Sequence, residues 1–171
     1  EIAWRFSTRG FGTTTDFTNP STPLEINGIL YANIGNTRNV VALDATSGQV
    51  LWLYRYQEGD RFDQAPRKGA GRGVSYWTDG DSERIIDVSA GYLLVSLDAK
   101  TGIPDPNFGN NGIVDLFVGL RNGDDPRYAY PEIGLSAPPL VMNNVIVVGA
   151  AHRGGGRPRS KFNTKGDVRG F

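Results

Sequence analysis

The sequence predicts an all-β protein organised as a β-propeller of four-stranded antiparallel meanders. The first observation is composition: 23 glycines and 10 prolines among 171 residues favour turns, and no stretch keeps the 3.6-residue apolar period of a helix. The second is an internal repeat, in which VALDATSG at residues 41–48 returns as VSLDAKTG at residues 95–102. The third is a hairpin pattern at residues 23–30 and 139–146, where two short apolar segments flank an Asn-centred turn.

One repeat unit reads as strand, Asn-Gly turn, strand, loop, a third strand ending in Leu-Asp, a Ser-Gly turn, and a fourth strand. Units of this kind, spaced by roughly 40–50 residues, are typical of propellers, because each blade covers the face of the next. We interpret residues 1–171 as one partial propeller domain with about three blades. The predicted limits are 1–8 for the end of one blade, then 20–56, 72–108 and an incomplete 135–171.

The turn after the third strand has the form Asp-x-x-Ser/Thr-Gly in both copies of the repeat. Asp44 and Asp98 are expected to accept hydrogen bonds from backbone N–H groups within their turns. Gly48 and Gly102 are expected to take the left-handed conformation that closes such a turn. We therefore interpret the two aspartates as structural and not as catalytic residues.

A tryptophan follows the first of these turns. Trp52 lies four residues after Gly48, where an indole can fill the space between neighbouring blades and donate its N–H to a backbone carbonyl. Trp4 has the same position in a preceding blade. The chain is thus expected to begin and end within blades.

Charge and composition exclude several classes of protein. The 18 basic and 18 acidic residues balance, so no global field attracts nucleic acid, and the absence of cysteine excludes disulfides and thiolate metal sites. The longest apolar run, about residues 145–151, is far shorter than the ~20 residues of a membrane helix. The first residues lack the pattern of a signal peptide.

The turn motif and three further segments resemble one known family. The pattern Ala-x-Asp-x-x-Ser/Thr-Gly-x-x-x-Trp at residues 42–52 resembles the tryptophan-docking motif of the eight-bladed, pyrroloquinoline-quinone (PQQ)-dependent dehydrogenases. The second copy is degenerate and has Asp-Pro-Asn-Phe at 105–108 in place of the tryptophan. The segments 71–77, 84–86 and 136–149, in this order, are similar to the membrane-bound quinoprotein glucose dehydrogenase branch.

The resemblance implies a site for a flat quinone with three carboxylates, which needs cations and hydrogen-bond donors around its edge. Arg72, between two glycines that let a ligand approach the backbone, matches the family arginine that contacts the quinone; the alternative is a turn arginine. Ser136 matches a cofactor-binding hydroxyl residue, although it also suits a strand start. Ala151 belongs to a small-residue segment that leaves room for the ring. His152 completes the candidate set, although a single histidine is more often structural.

The resemblance also implies a metal ion, Ca²⁺ or Mg²⁺, whose ligands, like the aspartate base, are expected outside this chain. At the position where alcohol-oxidising relatives carry a glutamate ligand, this sequence has Gly154. The adjacent cysteines of several relatives are replaced by residues 66–70. We therefore assign no metal ligand and no catalytic residue to this sequence. The basic segment 153–169 is interpreted as a solvated insertion; the alternative is a loop that attracts an anionic partner or helps to hold the cofactor carboxylates.

The function implied by the resemblance is oxidation of a sugar or alcohol hydroxyl, with hydride transfer to PQQ and electron transfer to ubiquinone or cytochrome c. The implied location is the periplasm or the periplasmic face of the inner membrane. Two alternatives stay open: a non-enzymatic propeller scaffold in an envelope assembly complex, and an independent small β-sandwich binding module. No nucleic-acid partner and no membrane span are expected.

Overall fold

The computed structural model describes residues 1–12, 14, 18–121, 132–152 and 164–171. Its first sheet joins four consecutive antiparallel strands, each bonded to the next. The strands are β1 (Leu24–Ile26), β2 (Ile29–Ile34), β3 (Asn39–Asp44) and β4 (Val50–Tyr54). The meander predicted for residues 20–56 is therefore present.

The second sheet repeats this arrangement after a single helical turn, α1 (Asp60–Gln64). Its strands are β5 (Ser75–Thr78), β6 (Glu83–Val88), β7 (Leu93–Asp98) and β8 (Ile113–Asp115), again in chain order and antiparallel. Apart from the five-residue α1, no α-helix occurs in the described ranges. In these ranges no helix is long and apolar enough to cross a membrane.

The predicted end of the second blade at residue 108 is wrong, since β8 begins at Ile113. The Asp-Pro-Asn-Phe segment does not form a strand, because Asp105 turns the chain: its carboxylate accepts the N–H of Asn107 and its carbonyl accepts that of Phe108. A further turn at Asn110 then brings the chain back to pair with β7. The degenerate copy thus inserts a loop before its fourth strand.

A third sheet and a two-stranded pair complete the described structure. The pair is β9 (Ile133–Gly134) with β12 (Ala151–His152), and the sheet is β10 (Leu140–Met142), β11 (Val145–Val148) and β13 (Arg169–Gly170). Together with the first two sheets, these strands confirm the all-β antiparallel prediction.

The predicted turn chemistry is confirmed at atomic detail. The Oδ1 atom of Asp44 accepts the backbone N–H groups of Thr46 and Ser47, at 3.0 and 2.7 Å. Asp98 does the same in the second sheet. Gly48 and Gly102 have φ of 73° and 71°, the left-handed conformation that a Cβ atom disfavours.

Two tryptophans connect successive blades. Trp52 donates its indole N–H to the carbonyl of Ala99 at 2.9 Å, and its ring packs so closely on Gly102 that a Cβ there would lie 2.5 Å away. Trp4 makes the same bond to Ala45, at 3.0 Å, and packs on Gly48. Both docking predictions are confirmed. Residues 1–8, predicted to be the end of a blade, contain no strand and dock through Trp4.

The apolar interior lies between neighbouring sheets. Tyr31, Val40 and Trp52 of the first sheet pack in one buried cluster with Ile85 and Leu97 of the second. A second cluster joins the second sheet to the third. Its fully buried members include Tyr92, Leu94 and Val148. Because the same strands contribute to both clusters through opposite faces, the sheets stack face to face as the blades of a propeller do.

Gly102→Ala is expected to destabilise the protein more than Gly28→Ala, which is a matched control. Both glycines have positive φ, 71° and 81°, so both alanines carry about 1 to 2 kcal/mol of backbone strain. Only at Gly102 does a Cβ meet the Trp52 ring, which adds about 1 to 3 kcal/mol of overpacking; at Gly28 no atom lies within 4 Å. Urea unfolding of the two variants measures the difference, and equal losses of free energy would contradict the docking role of Trp52.

Candidate functional site

The residues that precede the first strands of the three sheets are neighbours. Thr22 precedes β1, Arg72 precedes β5 and Ser136 precedes β10. The N–H of Thr22 donates to the carbonyl of Arg72 at 3.1 Å, and the N–H of Arg72 donates to the carbonyl of Ser136 at 2.9 Å. These bonds cross from sheet to sheet. We call this edge, where β1, β5 and β10 begin and β2, β6 and β11 end, the upper rim.

All four predicted cofactor residues lie along the upper rim. Arg72 is bonded to Ser136 through the backbone, and Ser136 lies two residues after β9. In the β9–β12 pair, Ala151 lies opposite Gly134 and His152 opposite Ile133. The fold therefore brings together residues that are up to 80 positions apart in the sequence.

The side chain of Arg72 is exposed and makes no hydrogen bond or ion pair in the described part of the chain. The hydroxyl of the half-buried Ser136 likewise has no partner among the described residues. A guanidinium offers five N–H donors in a fixed fork, which suits carboxylates, and a hydroxyl both donates and accepts. This part of the rim can therefore bind an anionic ligand that has oxygen atoms along its edge.

The reason predicted for the glycines beside Arg72 is wrong. A Cβ on Gly73, whose φ is 130°, would lie 2.7 Å from the carbonyl oxygen of Thr22. A Cβ on Gly71 would lie 3.0 Å from the side chain of Arg38. The space that each glycine leaves is filled by the protein itself, so these glycines allow close packing of the upper rim and not approach of a ligand.

A buried polar cluster lies directly beneath the rim. Asn33, at the end of β2, donates from Nδ2 to Oδ2 of Asp87, at the end of β6, over 3.0 Å. The hydroxyl of Tyr56 donates to the same oxygen at 2.8 Å. The Oδ1 atom of Asn33 accepts the N–H of Gly73 at 3.2 Å. Asn33 and Asp87 thus connect two blades to the loop that carries Arg72.

Burial raises the pKa of Asp87 from its usual 3.8 to about 6. The nearby charge of Arg38 and the hydrogen bonds from Tyr56 and Asn33 act in the opposite direction, because they favour the carboxylate. Arg38 itself is 1% exposed, and burial lowers its pKa, while the charge of Asp87 raises it. Asp87 and Arg38 therefore place a negative and a positive charge close together beneath the rim.

Among the described residues, every hydrogen bond of the Arg38 guanidinium goes to a backbone carbonyl. Its Nε donates to Gly69 at 3.2 Å, and its Nη1 donates to Val88 and Ser89 at 3.0 and 3.3 Å. Two further bonds reach the carbonyls of Arg67 and Leu135. One side chain thus connects the β2–β3 turn to the segments before Arg72, after β6 and before Ser136.

Sequence reasoning did not identify this cluster, although the 54-residue repeat contains a signal for it. Asn33 and Asp87 occupy equivalent positions in β2 and β6. Arg38 and Tyr92 are also equivalent and both have positive φ, 57° and 66°, which is unusual for residues other than glycine. Tyr92 donates its hydroxyl to the carbonyl of Gly149 at 2.8 Å. A polar residue in this turn therefore reaches the next sheet in both blades.

No group of three His, Asp or Glu side chains that could hold a metal ion occurs in the described ranges. Gly154 lies outside the described residues, as does most of the basic segment 153–169. Within that segment, Asp167 pairs with Arg121, and the pairing holds the pKa of Asp167 below its usual value.

Stacked four-stranded antiparallel sheets, joined by tryptophan-to-carbonyl bonds, define the class of this protein as a β-propeller. The chain belongs to the family described as "PQQ: Glucose/ethanol/alcohol dehydrogenase, beta-propeller domain", whose model matches residues 1–171. The resemblance to quinoprotein dehydrogenases is thereby confirmed.

The curated relatives include enzymes named for different substrates. The chain is 29% identical over 158 residues to the glycerol dehydrogenase large subunit of Gluconobacter thailandicus, covering 88% of this chain and 20% of the relative. It is also 29% identical over 170 residues to quinoprotein glucose dehydrogenase of Gluconobacter oxydans (strain 621H), with the same coverage of 88% and 20%. The chain spans about a fifth of the length of these relatives.

Solved structures support the fold. Quinohemoprotein alcohol dehydrogenase from Comamonas testosteroni superposes with a TM-score of 0.54 at 21% identity, over 79% of this chain and 17% of that one. A europium-containing methanol dehydrogenase gives a TM-score of 0.55 at 18% identity, over 89% and 23%. At these identities the similarity establishes the fold alone.

Asp87→Asn is expected to remove one component of the pH dependence of stability. Because the folded pKa of Asp87 is about 6 and its usual value is 3.8, the folded state holds a proton that the unfolded state releases between these pH values. The free energy of unfolding of the parent protein therefore falls as pH rises from 4 to 7, by up to about 3 kcal/mol from this group. The asparagine Oδ1 can accept the same two hydrogen bonds, so the variant lacks this fall.

Urea unfolding at several pH values between 4 and 7 measures this effect. Asp79→Asn is the control, because the backbone N–H groups of Ser82 and Asp81 hold the pKa of Asp79 below 3.8 and so place its titration outside the window. Parallel pH profiles for the parent protein and Asp87→Asn would show that Asp87 titrates at an ordinary pH.

Proposed function

We propose that the protein containing this chain is a PQQ-dependent dehydrogenase that oxidises a sugar or alcohol hydroxyl, and that the upper rim forms part of its cofactor wall. Residues 1–171 would then be about three blades of an eight-bladed propeller. The observation that carries the proposal is the position of Arg72: an exposed guanidinium, without a partner in the described structure, bonded through its backbone to Ser136. The family match over the whole chain supports the same assignment.

The residues at the rim fit PQQ by charge and by hydrogen bonding. Arg72 would bind a carboxylate or a quinone oxygen through its planar fork, and the hydroxyl of Ser136 would donate to a neighbouring oxygen. Ala151, which lies opposite Gly134 in the β9–β12 pair, has a small side chain, and His152 follows it. Bound here, PQQ would supply the acceptor for a hydride from the substrate carbon.

The cation at this position would also have an electrostatic role. An ordered guanidinium held at fixed distance from a ligand stabilises negative charge on that ligand without reorganisation of solvent. The backbone of Arg72 is bonded on both sides, through its N–H and its carbonyl, which positions its Cα at the rim. We therefore assign to Arg72 both the binding and the orientation of the cofactor.

The remaining components of the proposed reaction lie beyond this chain. The relatives are named for glycerol, glucose, quinate and alcohol, so we propose a polyol, sugar or simple alcohol as substrate. We further propose that Ca²⁺ or Mg²⁺ and the base are bound by other blades, and that ubiquinone or cytochrome c accepts the electrons. This assignment implies a periplasmic location, as proposed from the sequence resemblance.

The test uses the intact protein, prepared without cofactor and titrated with PQQ in the presence of Ca²⁺ or Mg²⁺. Saturable quenching of tryptophan fluorescence, with dye-linked oxidation of glucose, glycerol, quinate or ethanol, is the expected result. Binding without any dehydrogenase activity would contradict the catalytic assignment. Absence of both binding and activity would favour a propeller scaffold instead.

Arg72→Ala is expected to weaken PQQ binding about 10- to 100-fold, because a hydrogen bond to a charged group contributes about 1.5 to 3 kcal/mol. Arg72→Lys, which keeps the charge but loses the fork, should fall between this variant and the parent protein. The control is Lys100→Ala, which removes an exposed cation from the end of β7, at the opposite edge of the second sheet. Equal dissociation constants for Arg72→Ala and Lys100→Ala would exclude Arg72 from the site.

A further inference from the structure

We propose that Arg38 is the positioning residue of the cofactor wall: its buried guanidinium sets the spacing between the loop that carries Arg72 and the loop that carries Ser136. This inference rests on the proposed function. Arg38 touches neither loop's candidate ligand-binding side chain. Arg38 would therefore affect a bound cofactor through the backbone of the two loops that carry Arg72 and Ser136.

The first connection is to the loop before Arg72. Nε of Arg38 donates to the carbonyl of Gly69 at 3.2 Å, and Nη2 donates to the carbonyl of Arg67. The aliphatic part of the same side chain lies against Gly71, where a Cβ would be only 3.0 Å away. The path of the chain over residues 67–71 is therefore fixed on one side by Arg38.

The second connection is to the loop before Ser136. Nη1 of Arg38 donates to the carbonyl of Leu135, the residue next to Ser136. The same nitrogen donates to Val88 and Ser89, at the end of β6. Because a guanidinium is planar and rigid, carbonyls bonded to its different nitrogens are held at fixed relative positions. The distance between the two loops is thus set by one group.

Asp87 and Asn33 complete the arrangement. The charge of Asp87 acts on Arg38 across the cluster and compensates the buried guanidinium. Asn33 donates to Asp87 and accepts the N–H of Gly73, directly after Arg72. The segment that carries Arg72 is therefore held on both sides, by Arg38 before it and by Asn33 after it.

The equivalent turn of the second sheet shows what the fold alone requires. Tyr92 occupies the position of Arg38 and donates its hydroxyl to the carbonyl of Gly149, and in the described residues the charged side chain of Arg169 in the third sheet also acts on it. Arg38 makes the corresponding contacts with the end of β6, at Val88 and Ser89. Its additional bonds all go to the loops before Arg72 and Ser136. These bonds exceed what blade stacking needs, and they are the ones that affect the proposed wall.

The experiment compares Arg38→Lys, Arg72→Ala and their combination in the intact protein, with PQQ binding measured by fluorescence titration. Arg38→Lys keeps the charge but cannot reach carbonyls on several sides, and we expect it to weaken binding about 10-fold. If Arg38 acts through Arg72, the combined variant loses far less affinity than the product of the two single losses. The control is Arg84→Lys, which changes an arginine paired with Asp105 near the start of β6, away from the upper rim.

Hydrogen exchange of the cofactor-free protein supplies a second, independent measurement. Arg38→Lys should speed exchange in peptides that cover residues 66–73 and 132–138, while β7 stays protected as in the parent protein. Arg38→Met combined with Asp87→Asn removes both buried charges together and should give the same local pattern, without leaving an uncompensated charge. This pair of substitutions keeps the test informative if lysine alone is poorly tolerated.

Three outcomes would overturn the proposal. Unchanged PQQ affinity in Arg38→Lys, fully multiplicative losses in the combined variant, or equal acceleration of exchange in β7 and the rim loops would each assign Arg38 to general stability. Failure of the parent protein to bind PQQ would instead contradict the proposed function. In that case local acceleration of exchange at residues 66–73 and 132–138 would still establish Arg38 as the group that holds the two loops.

Discussion

The bond from a tryptophan indole to a carbonyl of the next sheet is the interaction on which the rest of the structure depends. Trp52 fills the gap between two sheets and, through its N–H, fixes how far one sheet extends over the other. Trp4 repeats this geometry one blade earlier, on Ala45 instead of Ala99. Since each indole packs on a glycine of the turn that it docks against, Gly102 for Trp52, each tryptophan fixes the position of its own segment against the next sheet.

The upper rim follows from the stacking of the sheets. Once the sheets are stacked in register, the residues before their first strands come within hydrogen-bonding distance, and the bonds from Thr22 to Arg72 and from Arg72 to Ser136 form across the sheets. A ligand at such an edge would be contacted by several blades. The arrangement lets a repeated fold, in which every blade is built alike, present a different side chain at each position of the rim.

Local patterns in the sequence predicted the turns and, through the repeated tryptophan position, the docking between blades, but they did not predict every contact between distant segments. The turns around Asp44 and Asp98 were predictable, because their hydrogen bonds close within three residues. The loop that displaces β8 was not, since Asp-Pro-Asn-Phe can form either a turn or an irregular strand until its partner β7 is known. Arg38 was not identified because its acceptors lie 29 to 97 residues away, and no short motif encodes them.

A buried arginine beside a buried aspartate gives little stability, because the desolvation of both charges offsets most of their attraction. Stability alone therefore does not account for Arg38 and Asp87, and the neutral Tyr92 shows that the same turn can stack its blade without a charge. The arginine differs in the number of groups that it can hold. A tyrosine hydroxyl has a single O–H to donate, whereas a guanidinium can donate to several carbonyls in one plane. The cost of burying the charge is best explained by the number of loops that Arg38 holds together beneath the rim.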